Sequence, residues 1–518
     1  MILPEGFKDF TEYFEKLILF LETYSWLYKD PVTNLLTSDV FSKIPDEWII
    51  SLLDLTNEEL NNVPTGLIKD DWPESLKQFS LDCKRFTLPV LTSKEPLYKP
   101  SDLSSLLQAV PREIWRGMSP KKKDEVEIMS EFVHQECKRL SIGKILDLGS
   151  GLGYIDRLLL LRGYRILGIE SQTKLVAFSI MQKENFFPPC LARNLDYHNM
   201  RICGSLISEV KNAVVNILCK PSGDSLCTSR KVNNNVNKYD WDRLIPLCRD
   251  MADNTNSDKI CMIGLHSCGD LAVTGIKMFM SLAEVSALVL IPCCYHKMSL
   301  RHNCRSQVES EFALEEALCD TDTESGEETF HHFPLSRALI SQSVGAKFVC
   351  RPFLRLANQA TNTSWQGWTE GDHHRHAFNV LSRAVIELVA QQQGATFKKC
   401  FRRVVRKTSL KGKDFLSYVE ESLSRCEFIN QKQSSTFEQN KNNIRNSLLE
   451  TWEQHKDKSR LVEAVTGLQM CLEPVAESLV VADRACYLWE GGRSDVRVVR
   501  MIDNKLSPRC LAYVASKV

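Results

Sequence analysis

The stretch Asp147-Leu148-Gly149-Ser150-Gly151-Leu152-Gly153 decides the fold of this 518-residue chain. It closes a short apolar run that starts at Lys144 and leads into a helical pattern over 155–161. A second apolar run over 164–169 ends at Glu170, about 20 positions after Gly149, and leads into another helical pattern over 173–185. Strand, helix, strand, helix at this spacing predicts a parallel sheet, so the predicted fold class is α/β.

The glycines of this loop indicate a cofactor that carries a ribose. Glycines after a strand let the backbone approach a ligand, and an acid at the end of the next strand accepts hydrogen bonds from ribose hydroxyls. The order Asp-x-Gly-Ser-Gly-Leu-Gly resembles the first motif of class I methyltransferases, which bind S-adenosylmethionine (SAM) and have no pyrophosphate to hold. We therefore expect a class I, Rossmann-like, SAM-dependent methyltransferase; a structural turn whose glycines only permit tight packing is the alternative. The residues predicted to bind SAM are Asp147, Gly149, Ser150, Gly151, Gly153 and Glu170.

Composition indicates a soluble intracellular protein, cytoplasmic or nuclear. Hydrophobic residues make up 43% and charged residues 25% of the chain, as in globular proteins. The 65 Lys and Arg residues equal the 65 Asp and Glu residues, so any nucleic-acid surface must be a local patch. The N-terminus does not have the pattern of a signal peptide, and no stretch approaches the roughly 20 apolar residues of a membrane span. We expect the 19 cysteines to be reduced.

Patterning along the chain predicts four regions. Aromatic and aliphatic residues at three- and four-residue intervals over 7–28 predict an amphipathic helix. Further strands are predicted at 259–265 and 285–291, and a closing hairpin at 496–502 and 510–515. Polar stretches at 219–240, 302–330 and 430–446 predict surface insertions or mobile loops. The predicted regions are a helical accessory region (1–110), the Rossmann-like SAM-binding core (111–300), a helical, loop-rich insertion (301–470), and a C-terminal helix with the closing strand pair of the core (471–518).

Two motifs follow the predicted strands that end near 265 and 291. They are His266-Ser267-Cys268-Gly269-Asp270 and Pro292-Cys293-Cys294-Tyr295-His296. Because ligands bind beyond the carboxyl ends of parallel strands, both motifs are expected beside the glycine loop. His266 and Asp270 are candidate general bases or orienting groups, which a hydroxyl acceptor needs and an amine hardly does. Tyr295 is a candidate platform on which a flipped base could stack.

The same residues also have ordinary structural interpretations. His266 could cap a helix or sit satisfied in the core, and the three cysteines could be small buried hydrophobes. A zinc site from His266, Cys268, Cys293, Cys294 and His296 is conceivable because these are soft ligands. Adjacent cysteines lack the two-residue gap of zinc knuckles, however, so we predict no metal.

With these motifs in view, the sequence resembles the methyltransferase-like protein 25 family, some of whose members are named for a ribosomal RNA adenine dimethylase domain. The resemblance covers most of the chain from about residue 110. The His-x-Cys-Gly and Cys-Cys pair also looks like that of the 2′-O-methyltransferases that modify the tRNA acceptor stem. The resemblance implies SAM as cofactor and RNA as substrate, but the Asp/Asn-Pro-Pro-Tyr/Phe motif of amino-methyltransferases does not occur in either motif. Beyond the glycine loop and the two cysteine motifs, the resemblance rests on Met118-Ser119-Pro120-Lys121-Lys122, Phe333-Pro334-Leu335-Ser336, Asp483-Arg484 with Tyr487-Leu488, and Ser507-Pro508-Arg509.

The densest basic cluster, over 398–407, is the predicted RNA contact. If this segment is helical, its charges share one face and can follow phosphates; if it is extended, they divide between two faces. A smaller patch is Lys121-Lys122-Lys123, close in sequence to the glycine loop. The alternatives to an RNA methyltransferase are a methyltransferase of proteins or small molecules and a catalytically inactive binding module with the same fold. The residues of the predicted RNA contact are Lys398, Lys399, Arg402, Arg403, Arg406 and Lys407.

Overall fold

The computed structural model describes residues 3–92, 110, 112–219, 258–301, 329–343, 348–399, 414–430, 437–505 and 507–517. The strands are β1 (Lys144–Leu148), β2 (Arg165–Glu170), β3 (Leu195–Asn199), β4 (Ile260–Cys268), β5 (Val285–Cys293), β6 (Ala395–Lys399), β7 (Cys426–Asn430), β8 (Val496–Arg500) and β9 (Leu511–Ser516). The α-helices before β4 are α1 (Phe10–Thr23), α2 (Asp46–Leu53), α3 (Asn57–Asn62), α4 (Glu74–Phe86), α5 (Pro89–Thr92), α6 (Pro120–Leu140), α7 (Tyr154–Leu161), α8 (Thr173–Phe186), α9 (Pro189–Ala192) and α10 (Ile207–Ile217). Those after it are α11 (Asp270–Ser281), α12 (Arg337–Gln342), α13 (Arg351–Gln359), α14 (Glu370–Gln392), α15 (Phe415–Arg425), α16 (Phe437–His455) and α17 (Ser459–Glu490).

A seven-stranded sheet in the order β3-β2-β1-β4-β5-β9-β8 forms the centre of the protein. The first five strands of this order run parallel, whereas β9 is antiparallel to both β5 and β8. Every residue of β1 is buried, as expected for a parallel strand covered on both faces. The predicted α/β, Rossmann-like fold of the class I methyltransferases is therefore confirmed, and so is the closing hairpin.

Parallel order brings the carboxyl ends of five strands to one edge of the sheet, which we call the carboxyl edge. The glycine loop leaves β1 there, Glu170 ends β2, and β4 and β5 end at Cys268 and Cys293. Helix α6 contacts β4, and α11 contacts both β4 and β5. Helix α6 starts as the sequence predicts, with Pro120 in its first turn and the Ser119 hydroxyl accepting a hydrogen bond from the Lys122 amide at 3.2 Å.

The N-terminal helices share one hydrophobic core with the sheet through the long helix α17. This helix packs against α1, α2, α4, α13 and α14, and its side chains are buried along most of its length. Of the described residues, one stretch, Lys441–Glu490, is long and apolar enough to cross a membrane, but 94% of its most apolar window is buried inside the protein. Such burial is typical of a core helix rather than of a lipid-facing one.

A second, smaller hydrophobic core lies among α14, α15 and α16. It contains Val389, Val419 and Leu448, together with Phe397 from the antiparallel pair β6–β7. This pair was not predicted, because five-residue strands inside a region of helical patterning give a weak signal. Lys398 and Lys399 lie in β6, so the basic cluster begins as a strand; its residues Arg402, Arg403, Arg406 and Lys407 lie outside the described residues.

Three other sequence-based predictions differ from the structure: a domain boundary, the strands of the sheet, and the polar stretches, which lie only partly within the described residues. The boundary predicted at 470 falls inside α17, whose apolar stripe continues across it without a break. Strand β3 was missed because Leu195–Asn199 is polar and only partly buried. Most of the polar stretches lies outside the described residues, but 437–446 belongs to α16, and Phe330 is 1% exposed.

Two glycines of the loop differ in the space around them, which gives a matched test of the fold. Both have positive φ, 57° at Gly151 and 66° at Gly153, so alanine is strained at either position by about 1 kcal/mol. A Cβ at Gly151 would meet nothing closer than 4.0 Å, whereas one at Gly153 would overlap the Tyr197 hydroxyl. Gly153→Ala should therefore lower the free energy of unfolding by a further ~1–3 kcal/mol over Gly151→Ala, measured by denaturant unfolding. Equal losses in the two variants would contradict this packing of Tyr197 beneath the loop.

Candidate active site

Backbone hydrogen bonds tie the glycine loop to the end of β2. The amides of Gly149 and Ser150 both donate to the Ile169 carbonyl, at 2.8 and 3.1 Å. The Gly151 amide donates to the Glu170 carboxylate at 3.0 Å. The other oxygen of Glu170 accepts from the Gln172 amide at 2.9 Å, so this acid fixes the loop as well as ending the strand.

The loop has the features of a cradle for a ligand. Gly151 has a left-handed backbone, and the direction in which a side chain would project is open. The Ser150 hydroxyl and one carboxylate oxygen of Asp147 are buried without a hydrogen-bond partner among the described residues. Buried polar atoms that lack partners are uncommon in folded proteins. They are expected where a ligand supplies the missing hydrogen bonds, so the predicted cofactor residues fit a polar ligand at this loop.

A pair of buried carboxyl groups lies beneath the loop. Burial, and then the neighbouring carboxylate of Asp156, raise the pKa of Asp147 well above its usual range. Burial likewise raises the pKa of Asp156 to about 7, against hydrogen bonding from Asp147 and Tyr197. Two carboxylates cannot donate to each other, so a proton held by one of them stabilises the pair. The site therefore has one less negative charge below neutral pH than its sequence indicates.

The structure adds Lys122 to the residues of the site. Burial lowers the pKa of its ammonium, which faces Asp147, Glu125 and Cys293. The lysines beside it on α6 pair with carboxylates of the same helix: Lys121 lies 3.9 Å from Glu125, and Lys123 lies 3.6 Å from Glu127. The lysine triplet was predicted as a surface patch, because sequence alone does not show which lysine of a run faces inward.

His266 forms a hydrogen-bonded pair with Glu125, another residue that the sequence analysis missed. The imidazole Nε2 lies 2.9 Å from the Glu125 carboxylate, while Nδ1 is buried with no partner among the described residues. His266 occupies an irregularity in β4 and has a φ of 64°. Such a bulge re-aims a side chain at the cost of backbone strain, and strained residues cluster at functional sites. The only signal for Glu125 was the Met-Ser-Pro-Lys-Lys segment that precedes it on α6.

The other two predicted catalytic residues, Asp270 and Tyr295, make contacts that hold the fold together. Both carboxylate oxygens of Asp270 accept from the Ser299 amide, at 3.2 and 3.1 Å, so Asp270 holds the segment that follows β5. Tyr295 is 1% exposed, its hydroxyl lies 3.5 Å from Glu477, and the Arg484 guanidinium covers its ring at 4.8 Å. The prediction that Tyr295 stacks an acceptor base is therefore corrected: its burial beneath the Arg484 guanidinium places it in the core, where a base has no access to the ring.

Three cysteine thiols meet at the ends of β4 and β5. The Sγ atoms of Cys268, Cys293 and Cys294 lie within 4.8 Å of one another. Hydrogen bonding, first from Cys268 and then from Cys293, lowers the pKa of Cys294 to about 2, whereas the pKa of Cys268 is raised to about 11. The guanidinium of Arg509 lies 3.9 Å from the Cys294 sulfur. His296 lies nearby and is half-buried; its Nδ1 atom is buried and lacks a partner among the described residues.

Comparison with known proteins agrees with this geometry. Residues 121–301, which include α6, the glycine loop and both cysteine motifs, match a family described as a methyltransferase domain. The chain carries a methyltransferase domain. Around this methyltransferase domain the similarity continues into proteins named "Probable methyltransferase-like protein 25". The mouse (Mus musculus) protein is 28% identical over 258 residues, which are 49% of this chain and 37% of that protein. The human (Homo sapiens) protein is 23% identical over 495 residues, covering 77% of this chain and 75% of that protein.

These matches confirm two predictions from the sequence, the methyltransferase assignment and the resemblance to the methyltransferase-like protein 25 family. In the mouse comparison, the chain spans little more than a third of the relative's length. A methyltransferase domain implies a methyl donor, which agrees with a loop that has room for a ligand.

The carboxyl pair beneath the loop predicts a pH-dependent stability. Because the folded state raises the pKa of Asp156 from 3.8 to about 7, folding favours its protonated form. The resulting stability is fully present below about pH 4 and is lost as the pH rises through about 7. Asp156→Asn stays neutral throughout, so its melting temperature should exceed that of the wild type at about pH 8 and approach it at about pH 4. A difference between the two proteins that does not vary with pH would contradict the raised pKa.

Proposed function

We propose that this chain is a SAM-dependent methyltransferase that acts on a hydroxyl group of RNA. The observation that carries the proposal is the loop after β1, where Gly151 faces open space beside the carboxylate of Glu170. A glycine backbone lets a nucleoside approach closely, and the acid at the end of β2 can accept hydrogen bonds from its ribose hydroxyls. The protein is then a class I methyltransferase in its cofactor as well as in its fold.

Each polar group of the loop has a suitable counterpart in SAM. The Glu170 oxygen that accepts from the Gly151 amide keeps a lone pair that can accept a hydrogen bond from a ribose hydroxyl, and the unpartnered Ser150 hydroxyl can donate or accept. The ammonium of Lys122, held beside Asp147, suits the carboxylate of the methionine part. When bound, SAM supplies a methyl group activated by a positively charged sulfur.

The His266–Glu125 pair favours a hydroxyl acceptor. With Nε2 held by the Glu125 carboxylate, the neutral imidazole carries its proton on Nε2 and leaves a lone pair on Nδ1. A nitrogen with a free lone pair, oriented by a carboxylate, is the arrangement of a general base. We infer that Nδ1 of His266 accepts the proton of the acceptor hydroxyl, while Glu125 orients the ring and stabilises the imidazolium.

RNA as the acceptor is supported by the resemblance and by the charge distribution. Some members of the resembling family are named for an RNA methylase, and the basic cluster, including Lys398 and Arg402, is the densest positive segment of a chain with no net charge. A ribose hydroxyl also agrees with the burial of Tyr295, because methylation of a hydroxyl needs no stacked base at that residue. Proteins and small molecules with a hydroxyl acceptor are the competing substrates.

SAM affinity tests the cofactor part of the proposal. Gly151→Arg fills the open space, and Glu170→Gln removes the charged acceptor of the ribose hydroxyls, an interaction worth about 1.5–3 kcal/mol. Each substitution should raise the Kd for SAM by about tenfold or more in isothermal titration. Gly492→Arg is the matched control, since Gly492 also has positive φ, 79°, and open space, but lies beyond α17. Unchanged SAM affinity in both loop variants, with circular dichroism like that of the wild type, would contradict the assignment.

Transfer of radiolabelled methyl groups from SAM tests the substrate and the dyad together. We expect label in total RNA, located on ribose oxygens after nuclease digestion. Glu125→Gln should lower the rate by about 100-fold or more, because an amide donates to Nε2 and forces the proton onto Nδ1. SAM should still bind to this variant, because Glu125 lies on α6 and not in the glycine loop. Glu127→Gln, whose carboxylate on the same helix pairs with Lys123, should retain activity.

The other outcomes of this assay identify the competing functions. Label found only in protein or in small molecules would contradict the RNA proposal while keeping the methyltransferase. SAM binding without any transfer would indicate the inactive binding module. Full activity of Glu125→Gln would show that the dyad does not hold the base.

A further inference from the structure

The cysteine cluster is built from two neighbouring strands rather than from one loop. Cys268 is the last residue of β4 and is exposed, whereas Cys293 ends β5 and is buried. The two are register partners in the sheet, and their sulfurs lie 2.7 Å apart. Cys294 follows directly and adds a third sulfur, all three within 4.8 Å of one another. In the described part of the chain, this is the group of His, Cys, Asp and Glu side chains whose donor atoms converge in this way.

The backbone holds these thiols together at a cost in strain. Cys294 has a φ of 50°, in the left-handed region that non-glycine residues seldom adopt, and its amide donates to the Asn358 side chain at 3.2 Å. Next to Cys268, a Cβ on Gly269 would lie 2.7 Å from the Lys297 carbonyl, so only glycine permits this close approach. The Gly269 amide donates to the Cys293 carbonyl at 3.2 Å, which closes the cluster from the backbone side. Strain held by several such contacts is typical of functional sites.

Three thiolates at this separation match the ligand set of a soft metal ion. Zinc binds cysteine sulfur at about 2.3 Å in tetrahedral geometry, which places two sulfur ligands about 3.8 Å apart. The three sulfur atoms lie within 4.8 Å of one another, so small shifts bring them to the sulfur–sulfur distance of a zinc site. For this, the Cys268–Cys293 distance of 2.7 Å would increase by about 1 Å. Thiolates favour Zn²⁺ and Cu⁺ over the hard ions Mg²⁺ and Ca²⁺. The guanidinium of Arg509, 3.9 Å from the Cys294 sulfur, offsets the single negative charge of three thiolates around a divalent ion.

We propose that Cys268, Cys293 and Cys294 bind one Zn²⁺ ion at the carboxyl edge. The exposed position of Cys268 leaves the fourth coordination position open to solvent, as in sites with three protein ligands. The prediction of no metal was made because the adjacent residues Cys293 and Cys294 lack the two-residue gap of zinc knuckles. The third ligand comes instead from across the β4–β5 pair, where sequence spacing carries no information. The site does not depend on the proposed RNA substrate or on SAM binding.

The metal content of the 518-residue chain tests the proposal directly. The protein is purified without chelator, reduced anaerobically, loaded with Zn²⁺, and freed of excess metal before elemental analysis. We expect one zinc per chain in the wild type and loss of that zinc in Cys268→Ser and Cys294→Ser. Cys203→Ser is the matched control, because Cys203 is partly exposed and its thiol lies 3.1 Å from the Ser205 hydroxyl, outside the cluster. It should retain the metal. When Co²⁺ replaces Zn²⁺, the wild type should show thiolate-to-metal charge-transfer absorption. Cys268→Ser and Cys294→Ser should not show it.

Three outcomes would contradict the zinc site. Fully reduced wild-type protein that takes up no zinc would overturn the proposal. Retention of zinc in both site variants would also overturn it, since the ion would then lie elsewhere. Mass spectrometry that finds Cys268 bonded to Cys293 in protein alkylated at lysis, with no metal uptake after reduction, would replace the metal site by a disulfide. Because Cys268 is exposed, Cys268→Ser should fold, and its melting curve checks that zinc loss is not unfolding.

Discussion

The hydrogen bond from the Gly151 amide to the Glu170 carboxylate is the interaction on which the rest of the site depends. It joins the loop after β1 to the end of β2, and it holds a glycine in the left-handed region with its open side free. Beneath the loop, Tyr197 from β3 packs so closely that Gly153 and Gly168 must lack side chains. The three strands thus fix one short segment of backbone, in which the Ser150 hydroxyl and one carboxylate oxygen of Asp147 have no partner among the described residues and are free to bind a ligand.

The ends of β4 and β5 also place functional side chains through residues with a left-handed backbone. His266 on β4 and Cys294 after β5 are both non-glycine residues in the left-handed region, which costs about 1–2 kcal/mol each. The Glu125 carboxylate holds the first side chain and the Asn358 amide oxygen holds the backbone of the second. Away from this edge, other shared motif segments hold the fold: the buried Asp483 carboxylate accepts from the Leu335 and Ser336 amides, at 2.9 and 2.8 Å. The segments that carry the family resemblance therefore divide between a site and the structure that supports it.

Much of this architecture could be predicted from the sequence because it depends on local patterns. The runs that became β1, β2, β4 and β5, the capped start of α6 at Ser119, and the glycine loop each have a signal within a few residues. What could not be predicted depends on contacts between distant segments. Glu125 lies 141 positions from His266, and the burial of Tyr295 results from α17. The two cysteine motifs gave no metal spacing because their thiols meet across a strand pair.

We propose that the loop after β1 and the end of β2 together bind SAM. Hydrogen–deuterium exchange with and without S-adenosylhomocysteine, the unreactive product of methyl transfer, tests this most directly. Bound S-adenosylhomocysteine should slow exchange in peptides that cover 147–153 and 170–173, because a ligand in the cradle shields these amides and suppresses their opening. Peptides from β8, at the far edge of the sheet, should exchange as before. Binding with no protection of the loop, or with protection confined to another part of the chain, would show that the cofactor binds elsewhere.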